Sequence, residues 1–186
     1  MSEIAEKVYV AVDVNNLWHS CRDIFGSTTR VNYDQLLKKI RTGGYRGVPR
    51  EVTAVAYTIT SPHRRTSETG RTREEPSRNS RFLESLQKFG YQVKTRQMRY
   101  EKGVDKPFHT DWDVGISVDA ITDQDQFDTF IMVSGDGDFI PLIKRLQDKD
   151  KRVEIYTFER TASQNLYSVA DNIVFLTVED TYQEKI

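Results

Sequence analysis

The sequence predicts an α/β domain built on a mainly parallel sheet, and three observations carry that expectation. Short apolar, β-branched runs alternate along the chain with stretches of helical periodicity, the pattern of strand–helix–strand units. Two of the runs, VYVAVDV (8–14) and DTFIMVSG (128–135), are almost continuously apolar, as strands covered on both faces are. With 186 residues, no internal repeat and no low-complexity tract, the chain suits one domain, 1–186, around one sizeable core.

Taken in order, VYVAVDV is the first strand and NNLWHSCRDIF the helix that follows it. NYDQLLKKI (32–40) opens like a capping box, with Asn32 as cap and Gln35 three residues on. EVTAVAYTIT (51–60) reads as a strand, and SRNSRFLESLQKFG (77–90) as a helix closed by Gly90, where left-handed geometry is wanted. YQVKTRQMR (91–99) alternates like a strand with one polar face, and DVGISVDAITD (113–123) reads as a helix. After the buried strand DTFIMVSG comes DFIPLIKRLQDKD, a helix with Pro141 in its first turn, where proline is tolerated. RVEIYTF (152–158), SQNLYSVAD (163–171) and NIVFL (172–176) add a strand, a short helix and a strand, and residues 177–186 form a short tail. Two stretches break the pattern: a polar, basic segment at 61–81 that reads as a mobile loop, and a connection at 100–112. Loops of that length inside a compact domain are commonly functional or disordered.

Composition narrows the classes. Cys21 is the single cysteine, which excludes an internal disulfide and a cysteine-based zinc cluster. The start, MSEIAEKVYV, lacks the apolar stretch of a signal peptide, and no run approaches the roughly 20 apolar residues of a membrane span. The expectation is a soluble, cytoplasmic protein with no membrane partner.

The net charge of −1 conceals an asymmetry. From Arg64 to Lys106 there are twelve Lys/Arg against six Asp/Glu, whereas Asp111 to Asp138 holds eight aspartates and no Lys or Arg. An acidic centre beside a basic stretch suits a metal-dependent enzyme acting on a polyanion. Tyr91, Tyr100, Phe108 and Trp112 lie among the basic residues, either as core aromatics or as platforms for stacked bases.

Ligands of parallel α/β sheets bind outside the carboxyl ends of the strands. Asp13 lies near the end of the first strand, and Asp136 and Asp138, set in SGDGD, follow the end of another. Asp113, near a helix start, supplies a further carboxylate. Asp13 and Asp138 each also fit the role of a helix cap, which does not exclude a second role in binding a cation. Asp119 shares a site with Asp113 only if Asp113 precedes the helix proper, because six residues on a helix turn through about 240°. Asp123, Asp125 and Asp128 fit a solvated turn and lack the glycine and distal glutamate of a calcium loop. An all-carboxylate set suits hard Mg²⁺ or Mn²⁺ rather than zinc, and such ions serve phosphodiester hydrolysis.

The blocks VAVDVNN, DWDVGISVDA, FIMVSGDGDFIPLIKRL and NLYSVADNIVFL, in that order over residues 8–176, resemble the NYN domain family, PIN-like nucleases that include the LabA-like proteins. The resemblance implies a PIN-like, three-layer α/β/α sandwich whose core spans 8–176, with an acidic pocket at the carboxyl edge of its sheet. It also implies metal-dependent cleavage of RNA. Carried onto this chain, it makes Asp13, Asp113, Asp136 and Asp138 catalytic and metal-binding, adds Asp119 as a metal ligand, and places Asn16 at the substrate. Arg64, Arg65, Arg71, Arg73, Arg96, Arg99 and Lys102 are the basic residues expected along the nucleic acid. The central family motif commonly begins Lys-Gly-x-Asp, whereas Thr110, Asp111 and Trp112 precede Asp113 here. A separate KGVD at 102–105 is either that motif with an insertion after it or a decoy at Asp105. Asp113 is favoured because DVGISVDA continues the pattern, with Lys102 or Lys106 as substitutes for the lysine. The expected activity is therefore that of a Mg²⁺- or Mn²⁺-dependent RNA endonuclease. The alternatives are a catalytically silent nucleic-acid-binding or regulatory module of the same fold and, less favoured, a haloacid-dehalogenase-like phosphatase. The last needs a second acid two residues after Asp13, where this chain has Asn15. The sequence leaves the oligomeric state open, a homodimer included.

Overall fold

The computed structural model of the chain describes residues 5–44, 47–60, 78–97 and 111–184. Along it come β1 (Glu6–Asp13), α1 (Val14–Phe25), β2 (Thr29–Val31), α2 (Tyr33–Thr42), β3 (Arg50–Thr60), α3 (Arg78–Phe89) and β4 (Gln92–Gln97). They are followed by α4 (Asp113–Thr122), β5 (Thr129–Val133), α5 (Ile140–Gln147), β6 (Arg152–Thr157), β7 (Asn172–Phe175) and β8 (Thr181–Gln183). Six strands form one wholly parallel sheet in the order β4-β3-β1-β5-β6-β7.

Alternation along the strands explains the three layers. Val8, Val10 and Val12 of β1 point with Ala54, Ala56, Ile131 and Val133 into a core closed by α1, α2 and α3. Tyr9 and Ala11 point the other way, with Val55, Tyr57, Phe130 and Met132, into a core closed by α4 and α5. Because β1 is apolar on both faces, it can lie only at the centre of a covered sheet.

The strand order also fixes where a ligand can bind. From β1 the chain steps outward to β3 and β4, then returns to the opposite side of β1 at β5. Right-handed crossovers therefore put α1–α3 on one face and α4–α5 on the other. The crevice where the order reverses opens between the carboxyl ends of β1 and β5.

Local chemistry behaves largely as the sequence predicts. Asn32 Oδ1 accepts the Gln35 N–H at 3.1 Å and starts α2. Gly90 ends α3 with φ +104°, a conformation that L side chains resist. Pro141 sits in the first turn of α5, which is preceded by a 3-10 turn at Gly137–Phe139.

Three features differ from expectation. The short helix expected at 163–171 is a 3-10 segment, Gln164–Ser168. Within the expected tail, residues 177–184 are tied to the domain: Thr181–Gln183 pair antiparallel with β2, and Asp180 binds Lys39 of α2 through both carboxylate oxygens at 2.8 and 2.9 Å. Helix α3 begins at Arg78, inside the stretch assigned to a loop at 61–81; the remainder, 61–77, lies outside the described residues. Among the described residues no helix is long and apolar enough to cross a membrane.

Candidate metal centre

The site is assembled from the ends of β1 and β5 and the start of α4. Asp13 ends β1 and is buried. Its carboxylate accepts the Asn16 N–H at 3.0 Å, which caps α1 and offsets part of the cost of burial. The two asparagines that follow act as cross-braces. Asn15 Oδ1 accepts the Ile59 N–H of β3 at 3.1 Å, and Asn16 Oδ1 accepts the Gly135 N–H beyond β5 at 3.0 Å. The DVNN block thus ties the ends of three neighbouring strands together.

Beyond β5, SGDGD forms a tight turn. Ser134 Oγ accepts the Asp136 N–H at 3.2 Å, and Asp136 Oδ1 accepts the Asp138 N–H at 2.9 Å. Asp136, not Asp138, is therefore the cap here. The glycines are required by close approach of the segment that follows β6. A Cβ on Gly135 would lie 2.8 Å from Thr157 Oγ1 and 3.0 Å from Ala162 Cα, and one on Gly137 would lie 2.7 Å from Ser163 Oγ.

Asp113 is the first residue of α4, and Trp112 sets its position. The indole N–H donates to the Thr58 carbonyl at 3.0 Å, and the ring packs 5.3 Å from that of Tyr57. The Arg96 guanidinium lies 4.2 Å over the indole and donates to the Asp111 carbonyl at 2.9 Å. Gly115 makes room for the indole, since a Cβ there would be 2.6 Å from Trp112 Cε3.

These constraints bring carboxylate oxygens of Asp113, Asp136 and Asp138 within 4.8 Å of one another. No lysine or arginine among the described residues forms an ion pair with these three. The consequence appears in their ionisation. Burial, then the charges of Asp111, Asp136, Asp13 and Asp138, pushes the Asp113 carboxyl up to about 6. Burial also raises Asp13, and the charge of Asp136 adds to the shift. Carboxylate oxygens gathered this closely fit a hard divalent cation of the Mg²⁺ or Mn²⁺ kind.

Other expected site residues are placed differently. Asp119 lies outside the three-carboxylate group: six residues beyond Asp113, it sits about 240° around the helix and about 9 Å along it. Its carboxylate accepts from Lys94 Nζ at 2.6 Å and from the Tyr57 hydroxyl at 2.7 Å. Asn16 gives its side-chain oxygen to Gly135, and Arg96 is stacked on Trp112, so each braces the site's own framework. Of the aromatics among the basic residues, Tyr91 is buried with its hydroxyl donating to the Tyr33 carbonyl, and Trp112 is partly buried and held as described. Arg64, Arg65, Arg71, Arg73, Arg99, Tyr100, Lys102, Asp105, Lys106 and Phe108 lie outside the described residues. Asp111, read in the sequence only as part of an acidic run, is the second cause of the Asp113 shift; its spacing of two from Asp113 was the available signal.

A family model described as the NYN domain matches residues 7–177. The Low amplitude and bright protein LabA of Synechococcus elongatus is 24% identical over 116 residues, which are 60% of this chain and 62% of that protein. The match thus spans less than two thirds of that relative's length. The crystal structure of a protein of unknown function from Vibrio parahaemolyticus is similar with a TM-score of 0.75 and 31% identity, covering 97% of this chain and 98% of that one.

Proposed function

The chain belongs to the NYN domain family, and from that premise we propose that it is a divalent-metal-dependent nuclease that hydrolyses phosphodiester bonds, with RNA as substrate and internal cleavage as its mode. The observation that carries this reading is the trio Asp113, Asp136 and Asp138, held together at the sheet's reversal point with no lysine or arginine among the described residues paired to it. These three would hold the cation, with Asp13 buried behind them and coupled to Asp136. A divalent ion bound there neutralises phosphate charge and lowers the pKa of water that it binds.

The protein's own residues do the remaining work. Asn15 and Asn16 keep β3, β1 and the SGDGD turn in register, so that Asp136 and Asp138 keep their positions against Asp113. Trp112 and Arg96 fix the start of α4. Asp138 is exposed, which leaves the cluster open to a polymer from solvent.

The test is cleavage of end-labelled single-stranded RNA, matched DNA and a duplex with Mg²⁺, Mn²⁺ or EDTA. Cleavage should need the metal and favour the RNA. Asp136→Asn should lower the rate by more than about 100-fold, since even partners of metal ligands commonly contribute 10–100-fold. Equal cleavage by that variant removes Asp136 from the reaction. Absence of cleavage by the parent, with metal and RNA bound, assigns the chain to the binding-module alternative.

A further inference from the structure

We propose that the cleft bounded by α1, α3 and the β2–β8 ribbon binds single-stranded nucleic acid, stacking bases on Trp18 and Tyr182. The nuclease reading supplies the strand's destination, the carboxylate cluster; the binding itself rests on the cleft.

The cleft has a volume of about 580 Å³ and is lined by Trp18 of α1, Phe82 and Phe89 of α3, and Tyr182 of β8. Three of these aromatics are unusually open for their type: Trp18 is 37%, Phe89 37% and Tyr182 51% exposed. Exposed aromatic rings gathered in one concave surface favour planar apolar groups, and every nucleobase offers a π-face to them.

Cations accompany the rings. The Arg22 guanidinium lies 4.2 Å over the Trp18 ring and holds it in place. Arg81, exposed on the first half of α3, lines the cleft. Arg30 also lines it, but is anchored by Glu184 at 2.6 Å and by the Ser27 and Thr29 carbonyls. Arg81 is therefore the lining group placed to meet phosphate, while the Arg30–Glu184 pair shapes the wall. A strand with both bases and phosphates matches this lining better than an apolar peptide does.

Helix α1 links the cleft to the carboxylates along the chain. Helix α1 starts at Asp13, and Trp18 is five residues on, about 7.5 Å along the axis. Tyr33, another lining residue, is close enough for the charge of Asp13 to contribute to the upward shift of its hydroxyl, behind burial and Tyr91. A strand lying across Trp18 is thus led along α1 toward its capped end.

The test uses intrinsic fluorescence of the full chain carrying Asp136→Asn, in EDTA, so that nothing is cut. The chain has two tryptophans, Trp18 and Trp112, and Trp18 is the exposed one. Adding a ten-nucleotide oligo(U) or oligo(dT) should quench emission saturably. Trp18→Phe should diminish the quench, leaving only what Trp112 beside Asp113 contributes, while retaining binding measured by anisotropy of a labelled oligonucleotide. Trp18→Ala with Tyr182→Ala should weaken binding roughly ten-fold or more. Arg81→Ala should reduce the salt slope by about 0.7, the contribution of one phosphate on a single strand. Both aromatic positions are exposed, so an unchanged unfolding midpoint verifies the fold of each variant.

Unchanged affinity in the double alanine variant, or quenching undiminished by Trp18→Phe, overturns the proposal. The two readings separate cleanly. If the chain with Asp136 intact cleaves RNA but loss of Trp18 and Tyr182 leaves binding and KM unaltered, the cleft proposal falls and the nuclease stands. If it cuts nothing yet shows the quench and its reduction, the nuclease reading falls and the cleft stands.

Discussion

Asp113 reports on the cluster through its own proton. In an unfolded chain its carboxyl titrates near 4, whereas in the folded, cation-free protein burial and the neighbouring aspartates push it up to about 6. Between those values the folded state holds the proton that the unfolded state releases. Stability from this group is therefore fully present below about pH 4, declines as pH rises to about 6, and is level above. Asp113→Asn removes the penalty; partial exposure of the site screens it to the order of 1 kcal/mol. Urea unfolding in EDTA should show the variant more stable than the parent at pH 7.5 and nearly equal at pH 4. A gain of the same size at both values would sink the account. Asp136 and Asp138 were legible in the sequence because acids set among glycines, directly after a buried strand, put charge at the sheet edge where ligands bind. Asp119, expected as a metal ligand, is instead engaged by Lys94 and the Tyr57 hydroxyl. Its motif position says nothing of the partners that Lys94 and Tyr57 supply from other strands.

Helix α4 shows the same division. Its limits were readable from periodicity, and the structure gives Asp113–Thr122 for the expected 113–123. The lock at its start was not, because Thr58, Arg96 and Trp112 come from three separate segments. An aromatic among basic residues reads identically as core or as stacking platform, and only burial separates the two. Gly115 provides a sharp test of the lock. Glycine to alanine within a helix normally stabilises by about 1 kcal/mol. Here the added Cβ would meet Trp112 Cε3 at 2.6 Å and the Arg96 guanidinium at 3.2 Å, and overpacking of this kind costs about 1–3 kcal/mol. Gly115→Ala should therefore destabilise, and by tilting Asp113 it should also weaken Mn²⁺ binding. Both are measurable by thermal unfolding with and without the ion. A stabilised variant with unchanged Mn²⁺ affinity would show that the indole can move aside freely.

At the level of the chain's architecture, alternation of strands and helices announced the α/β class, but not the strand order that makes the ends of β1 and β5 neighbours. Nor did it show the β2–β8 ribbon, since three-residue strands are too short for a period to register. Yet that ribbon joins residues near 30 to residues near 182 and forms part of the cleft beside α1. Its anchor is Asp180, 2% exposed, which accepts from Lys39 and from the Thr177 N–H at 2.9 Å, while its carbonyl accepts the Asn32 N–H at 2.9 Å. Asp180→Ala leaves the Thr177 N–H without its partner, and Lys39, being partly exposed, turns to water. The expected cost is about 2–3 kcal/mol, between a lost charged hydrogen bond and a broken buried pair. Cation binding should be separable from it. A ligand that binds only the folded state adds about 2.7 kcal/mol at one hundred times its Kd, whatever the starting stability. Titrated with Mn²⁺, Asp180→Ala should therefore unfold at a lower temperature than the parent yet gain the same stabilisation. Asp136→Asn should start at or above the parent and gain almost none. If the Mn²⁺ increment falls in both variants together, the ribbon and the carboxylates are one cooperative unit, and the strap shapes the metal centre as well as the cleft.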